Sequence, residues 1–387
     1  MAEQDTLASH FGGHPIPTEK VTERVSRWTF VSLGKAATDD TSNTTVYEQD
    51  RFASNASIIP PWNPQVNATA VGLLQRSFLP TLTTNTTLSL ISYTIARLTN
   101  RLDLKDIIWP LSPLISSWTV ALQRSDFDIS QTCTNMTYSQ KLIMAGLTTW
   151  SLRLFYRITS RALSRGKDDA RYNLSVEESK NSDYWNKCLF STFLLEALVQ
   201  SIIALPFTMG FAAPEILLRN NHSLSRNLGW DIAHAVGVFL FSAGFALEVG
   251  ADLQLERFKK SGNEGLLKEG IWSIVRHPNY LGDTLIHTSF PLILYGAGLF
   301  HPLMLLAPVA NYTFLRYVGG DAQTEKYQEE RYEKMGEEEK LGDFRGLKGE
   351  KNSFWPGVQE WDNGWLWGVL GVGVVGVLGE WGVRKFF

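Results

Sequence analysis

Apolar runs long enough to cross a bilayer alternate with polar stretches through most of this chain. Runs of about 16–25 residues fall at 107–122, 141–157, 188–212, 230–250, 284–300, 302–318 and 364–383, with a weaker, threonine-rich run at 79–98. The pattern predicts an all-α, polytopic helical membrane protein with about seven or eight transmembrane helices. It also predicts four segments. Residues 1–77 form a poorly ordered Ser/Thr/Asn-rich leader, and 78–318 the helical membrane body. Residues 319–363 form a charged cytosolic segment, and 364–387 a glycine-rich apolar helix with a short tail.

Charge then orients the spans. The loops at 157–187 and 251–276 are rich in Lys and Arg, whereas 213–229 holds only Arg219 and Arg226. The first two are therefore expected in the cytosol and the third in the lumen. The 284–318 pair is expected to form a hairpin turning near His301-Pro302. In the last run Gly373, Gly376, Gly379 and Gly382 recur at every third residue, which suits close helix contact in lipid. The ending Arg384-Lys385-Phe386-Phe387 looks like a dibasic retrieval tail of endoplasmic-reticulum membrane proteins. Such a tail must be cytosolic, whereas a simple eighth crossing puts it in the lumen, so these two expectations conflict.

Composition adds less. The net charge of −3 implies no nucleic-acid partner. Cys133 and Cys188 have no metal-ligand spacing, so no metal is expected. The polar, acidic start is no cleavable signal peptide. Asn43, Asn55 and Asn67 head glycosylation triplets in the leader. Many of the 13 tryptophans fall near predicted segment ends, as interfacial anchors do.

Candidate chemistry concentrates in Gly270 to Asp283, a short piece between two apolar runs that holds Trp272, Arg276, His277, Asn279, Tyr280 and Asp283. Pro278 pushes His277 out of helical geometry and starts a helix. Free N–H groups at that helix start, beside the Arg276 guanidinium, suit an anion such as phosphate. Asp283 and His287 are four apart and share one helix face. Glu196 and Gln200 are likewise four apart inside an apolar run, and are expected to line a substrate pocket or to make a helix–helix hydrogen bond.

The ordered set of Asp106, Trp109, Trp150, Arg153, the stretch from Arg161 to Tyr172, Trp185, Phe190 and the 270–283 motif resembles a membrane family. That family is uncharacterised and allied to the steroid 5α-reductases and sterol reductases. The resemblance covers roughly 100–360 and implies a helical membrane enzyme that reduces a carbon–carbon double bond of a lipid or sterol-like substrate with NADPH. It implies cofactor contacts from Asp252, Arg257, Lys259, Trp272, Arg276, His277, Asn279, Tyr280, Asp283 and Tyr332, with Arg171 adding charge. The 319–363 segment would complete the cofactor side. Tyr280 is the first candidate for proton donor, or a ring stacked on nicotinamide, and Asp283 the second catalytic candidate. No Gly-x-Gly-x-x-Gly follows a strand, so a soluble Rossmann domain is not expected. Two other functions stay open: an S-adenosylmethionine-dependent lipid or prenylcysteine methyltransferase, which shares the Arg-His-Pro motif, and a non-enzymatic scaffold or lipid-binding protein.

Overall fold

The computed structural model describes residues 72, 74–170, 172, 182–212, 228–263 and 265–386, and all their regular structure is helical. Most of the leader, with Asn43, Asn55 and Asn67, lies outside the described residues, as do Arg171, Arg219 and Arg226. The helices of eight or more residues begin with α1 Leu79–Thr99, α2 Leu111–Gln123 and α3 Tyr138–Arg165. Next come α4 Asp183–Ile203, α5 Leu205–Ala212 and α6 Leu228–Lys260. After these come α7 Pro278–Gly296, α8 Leu306–Thr313, α9 Asp321–Met335, α10 Glu338–Glu350 and α11 Gly364–Arg384.

The expectation of seven or eight spans is overturned. Among the described residues three helices are long and apolar enough to cross a membrane: α4, α6 and α11. The other apolar runs are cut short or diluted. The run at 107–122 breaks at Trp109-Pro110 and leaves the 13-residue α2. α3 has the length but carries Arg153, Arg157 and Arg161, and α1 is threonine-rich. α7 carries Asp283, His287 and Pro291, and α8 is only eight residues long.

Local signals set several boundaries. Thr137 and Gln140 close a reciprocal capping box at the start of α3, which ends on Gly166 at φ 63°. α7 begins at Pro278 as expected, with His277 outside helical geometry at φ −129° and ψ 69°.

α6 organises the half of the molecule that carries the motif. At 33 residues it is roughly 50 Å long. It packs antiparallel to α7 with the backbones nearly touching. A Cβ on Gly244 would lie 2.6 Å from the Gly282 carbonyl oxygen, and one on Gly296 would lie 2.7 Å from that of Trp230. Glycine at these crossings lets the helices approach as small-residue motifs do in lipid. α11 also runs antiparallel to α6, with Gly373 against Phe239 and Gly376 against Ser242. Its far end is held by His234 Nε2 to Glu380 Oε1 at 3.0 Å. α7 and α11 therefore both start at the end of α6 that carries Arg257, Lys259 and Lys260. Arg384 lies 3.8 Å from Asp231, at the opposite end of α6. The Arg384 end of α11 therefore lies at the end of α6 opposite Arg257, Lys259 and Lys260.

Candidate functional site

The two ends of the Gly270–Asp283 motif meet different surroundings. At its Arg276 end the guanidinium makes four hydrogen bonds. Nε donates to Glu325 Oε1 at 2.9 Å and Nη2 to Glu325 Oε2 at 3.3 Å, while Nη1 donates to the carbonyls of Lys348 and Lys351 at 3.1 and 2.6 Å. The backbone N–H groups of Arg276 and His277 donate to the carbonyls of Asn352 and Ser353. His277 Nε2 lies 2.8 Å from Glu325 Oε1. Burial alone would push the Glu325 carboxyl up, but His277 and Arg276 outweigh it and hold it at about 2. Arg276 is thus bound to the 319–363 segment rather than open to a phosphate.

His277, Asp321 and Glu325 also place ligand-type atoms within 4.8 Å of one another, all buried. This bears on the expectation that no metal binds. Both carboxylates already carry counter-charge: Arg276 on Glu325, and Arg316 on Asp321 at 2.7 Å, with the Ser353 hydroxyl also donating to Asp321. A dication would have to displace or face two guanidinium groups.

Two turns further on, the motif enters the bundle. Asp283 Oδ2 accepts a hydrogen bond from Asn311 Nδ2 of α8 at 2.9 Å. Asp283 Oδ1 and both ring nitrogens of His287 are buried and have no hydrogen-bond partner, and Oδ1 lies 3.7 Å from His287 Nε2. Trp150 packs edge-on against the His287 ring at 5.0 Å and donates through Nε1 to Glu248 Oε2 at 3.0 Å. Arg153 Nη1 donates to Glu248 Oε1 at 2.6 Å, and its other arm bonds Asp252. A polar line therefore runs from the basic end of α6 inward to Glu248, beside Asp283 and His287. Buried polar atoms are normally satisfied, so the open valences of Asp283 and His287 set this pair apart from the saturated Arg276 end.

The other expected site residues divide. Asp252 is occupied by Arg153 and by Arg157 at 2.8 Å. Trp272 donates to the Ala251 carbonyl at 3.0 Å. Tyr332 is buried against Phe344 and accepts from Gln328. Each of these contacts is made within the chain itself. Asn279 Oδ1 is buried and unpartnered, and Tyr280 stacks on His277 at 5.4 Å and faces Phe354 at 6.2 Å. Arg257 and Lys259 are exposed at the end of α6. Lys259 lies within the field of Arg157, Arg161 and Arg331, which come from α3 and α9.

Glu196 and Gln200 meet at a second location. They line a cavity of about 30 Å³ among α1, α2 and α4, with Lys105, Asn85 and Ser92. Lys105 Nζ bonds Glu196 Oε1 at 2.6 Å and Asp106 Oδ1 at 3.2 Å. Burial pushes the Lys105 ammonium down, but these carboxylates outweigh it and hold it well above its ordinary range. Nothing in the local pattern marked Lys105, Glu248, Glu325 or Asn311, whose partners are remote in sequence. The only hint at Glu248 was an acid inside an apolar run.

One family model, described as "Protein of unknown function (DUF1295)", matches residues 92–341, more than half of the chain. The chain belongs to the DUF1295 family. That family is allied to the steroid 5α-reductase and sterol reductase superfamily. The match spans the motif and all of the cavity lining except Asn85 and Ser89. No curated protein and no solved structure matches the chain.

Proposed function

We propose that this DUF1295 protein is a membrane-embedded reductase of a carbon–carbon double bond in a lipid or sterol-like substrate, with NADPH as reductant. The observation that carries this reading is the buried Asp283–His287 pair, unsatisfied on its inner side and shielded from water by α3, α6 and α8. Superfamily kinship and three apolar helices of spanning length support a lipid-acting membrane protein in general. The reductase chemistry is our inference from that kinship, and the pair is where we place it.

The chain's fit to NADPH rests on two features. Lys259, in the field of Arg157, Arg161 and Arg331 with Asp169 partly offsetting them, and the exposed Arg257 two residues before it bring positive charge suited to phosphate to the end of α6. Asn279, with its buried open oxygen, and Tyr280 stand between that end and Asp283. NADPH, when bound, supplies the hydride to one carbon of the double bond. The chain supplies the rest. Asp283 and His287 hold a proton for the other carbon, with Asn311 fixing the carboxyl orientation. The packed rings of Trp150 and Phe207 around His287 keep bulk water from the transfer.

The test is a thermal shift of the detergent-purified full chain with NADPH and with S-adenosylmethionine, followed by NADPH oxidation with enone and sterol substrates. NADPH stabilisation that weakens about tenfold in Lys259→Ala, with turnover lost in Asp283→Asn, is the expected result. Stabilisation by S-adenosylmethionine alone would replace this reading with the methyltransferase, and a response to neither with the non-enzymatic one.

A further inference from the structure

The cavity among α1, α2 and α4 has unspent hydrogen-bonding capacity. Gln200 Nε2 and Ser92 Oγ are buried and have no hydrogen-bond partner, and the two residues are 5 % and 3 % exposed. Their polar neighbours are already satisfied. Asn85 accepts from Ser112 and Ser116 at 2.6 and 2.9 Å and donates to Ser201 at 3.0 Å. A π-helical turn at Leu189–Leu194 loosens α4 just before Glu196, and Ser89 takes up the Phe193 carbonyl at 2.6 Å. Such turns recur at functional sites because they open the regular ladder. A primary amide nitrogen only donates, so a group that completes Gln200 must present an acceptor. The charges nearby exclude an anion, since Lys105 is already shared between Glu196 and Asp106. They disfavour a cation as well, because the open Gln200 nitrogen only donates and the Lys105 ammonium lines the same cavity.

We propose that this cavity binds a neutral oxygen of the substrate, a hydroxyl or carbonyl at one end of an otherwise apolar molecule, through Gln200 Nε2 and Ser92 Oγ. Its volume of about 30 Å³ fits an oxygen-bearing end and no more, which leaves the hydrocarbon body elsewhere. The site acts as a selectivity filter: an apolar lipid without the oxygen leaves two buried polar groups unpaired. This proposal rests on the reading of the chain as acting on a lipid or sterol-like substrate.

The experiment measures binding to the full chain in nanodiscs for matched pairs: cholest-4-en-3-one against cholest-4-ene, and octadecanol against octadecane. The oxygenated member of at least one pair should bind about tenfold more tightly. The discrimination should disappear in Gln200→Leu and shrink in Ser92→Ala, while Gln200→Glu, a near-isostere, controls for folding. No discrimination in any pair, or discrimination untouched in a folded Gln200→Leu, overturns the proposal and leaves the cavity as a site for structural water only. NADPH binding is scored on the same samples. No discrimination by the wild type with NADPH binding intact sinks this inference alone, whereas oxygen selectivity without NADPH binding sinks the reductase reading alone.

Discussion

Arg276 and Asp283 stand in one motif, and the structure treats them in opposite ways. The Arg276 end is saturated: its guanidinium, His277, Glu325 and two backbone carbonyls use one another's capacity and tie α7 to the 319–363 segment. The Asp283 end is unsaturated: one carboxylate oxygen and both His287 nitrogens are buried without partners. A cluster that completes itself is a fastening, because a ligand gains nothing that the chain does not already have. A cluster left incomplete in a dry interior bears a cost that only a bound group relieves. By this criterion the functional centre lies inward of where charge density alone places it.

The largest effect tests the incomplete end. Asp283→Asn should lower turnover by about 10²–10⁴-fold while NADPH still stabilises the folded variant, because the amide keeps the shape and the Asn311 side but cannot deliver the proton. Steady-state turnover within about threefold of wild type would show that the open valence is incidental. The complete end should respond in stability instead. Arg276→Leu removes the main partner of a buried carboxylate and should cost about 3–5 kcal/mol in chemical denaturation, with NADPH affinity of the folded fraction unchanged. Weakened NADPH binding at full stability would return Arg276 to the phosphate-binding role that its motif suggests.

Several parts of this arrangement were legible in the residues. Pro278 announced the start of α7, and the spacing of Asp283 with His287 and of Glu196 with Gln200 put each pair on one face, where the structure has them. The number of spans was not legible from apolar content. The break at Trp109-Pro110, the arginines of α3 and the acid and histidine of α7 shorten or dilute the apolar runs, and the carboxylates that pair with the α3 arginines lie on α6, remote in sequence. The role of Arg276 was not legible either, because its partner Glu325 lies 49 residues on, in the segment that reads only as charged and cytosolic. The same distance in sequence hid the pairing of Lys105 with Glu196.

The Arg276 end also carries a pH signature. The Glu325 carboxyl is held at about 2, below its ordinary 4.5, so its contribution to stability is complete above pH 4.5 and is lost as the pH falls toward 2. The depression corresponds to about 3 kcal/mol. Acid unfolding followed by tryptophan fluorescence should show this loss in the wild type and a flatter profile over the same window in Glu325→Gln. Identical profiles would mean that other carboxylates carry the acid sensitivity.

The smallest expected effect bears most directly on the link between packing and the open site. Gly282 is the close-contact residue of α7: a Cβ there would lie 2.5 Å from the Gly244 carbonyl oxygen and 2.8 Å from the Glu248 nitrogen. Both obstacles are backbone, so Gly282→Ala must push α7 away from α6. The cost should be about 1–3 kcal/mol, typical of overpacking. The displacement also moves Asp283, the next residue, relative to Glu248 and His287. Turnover should therefore fall by more than the loss of folded protein explains, with NADPH binding at the basic end of α6 little changed. A control at Gly379, where an added Cβ meets no neighbour, should alter neither quantity. If Gly282→Ala lost stability and kept full turnover per folded molecule, the α6–α7 contact would be a fastening like the Arg276 cluster, and the inner polar line would not depend on how closely these two helices approach.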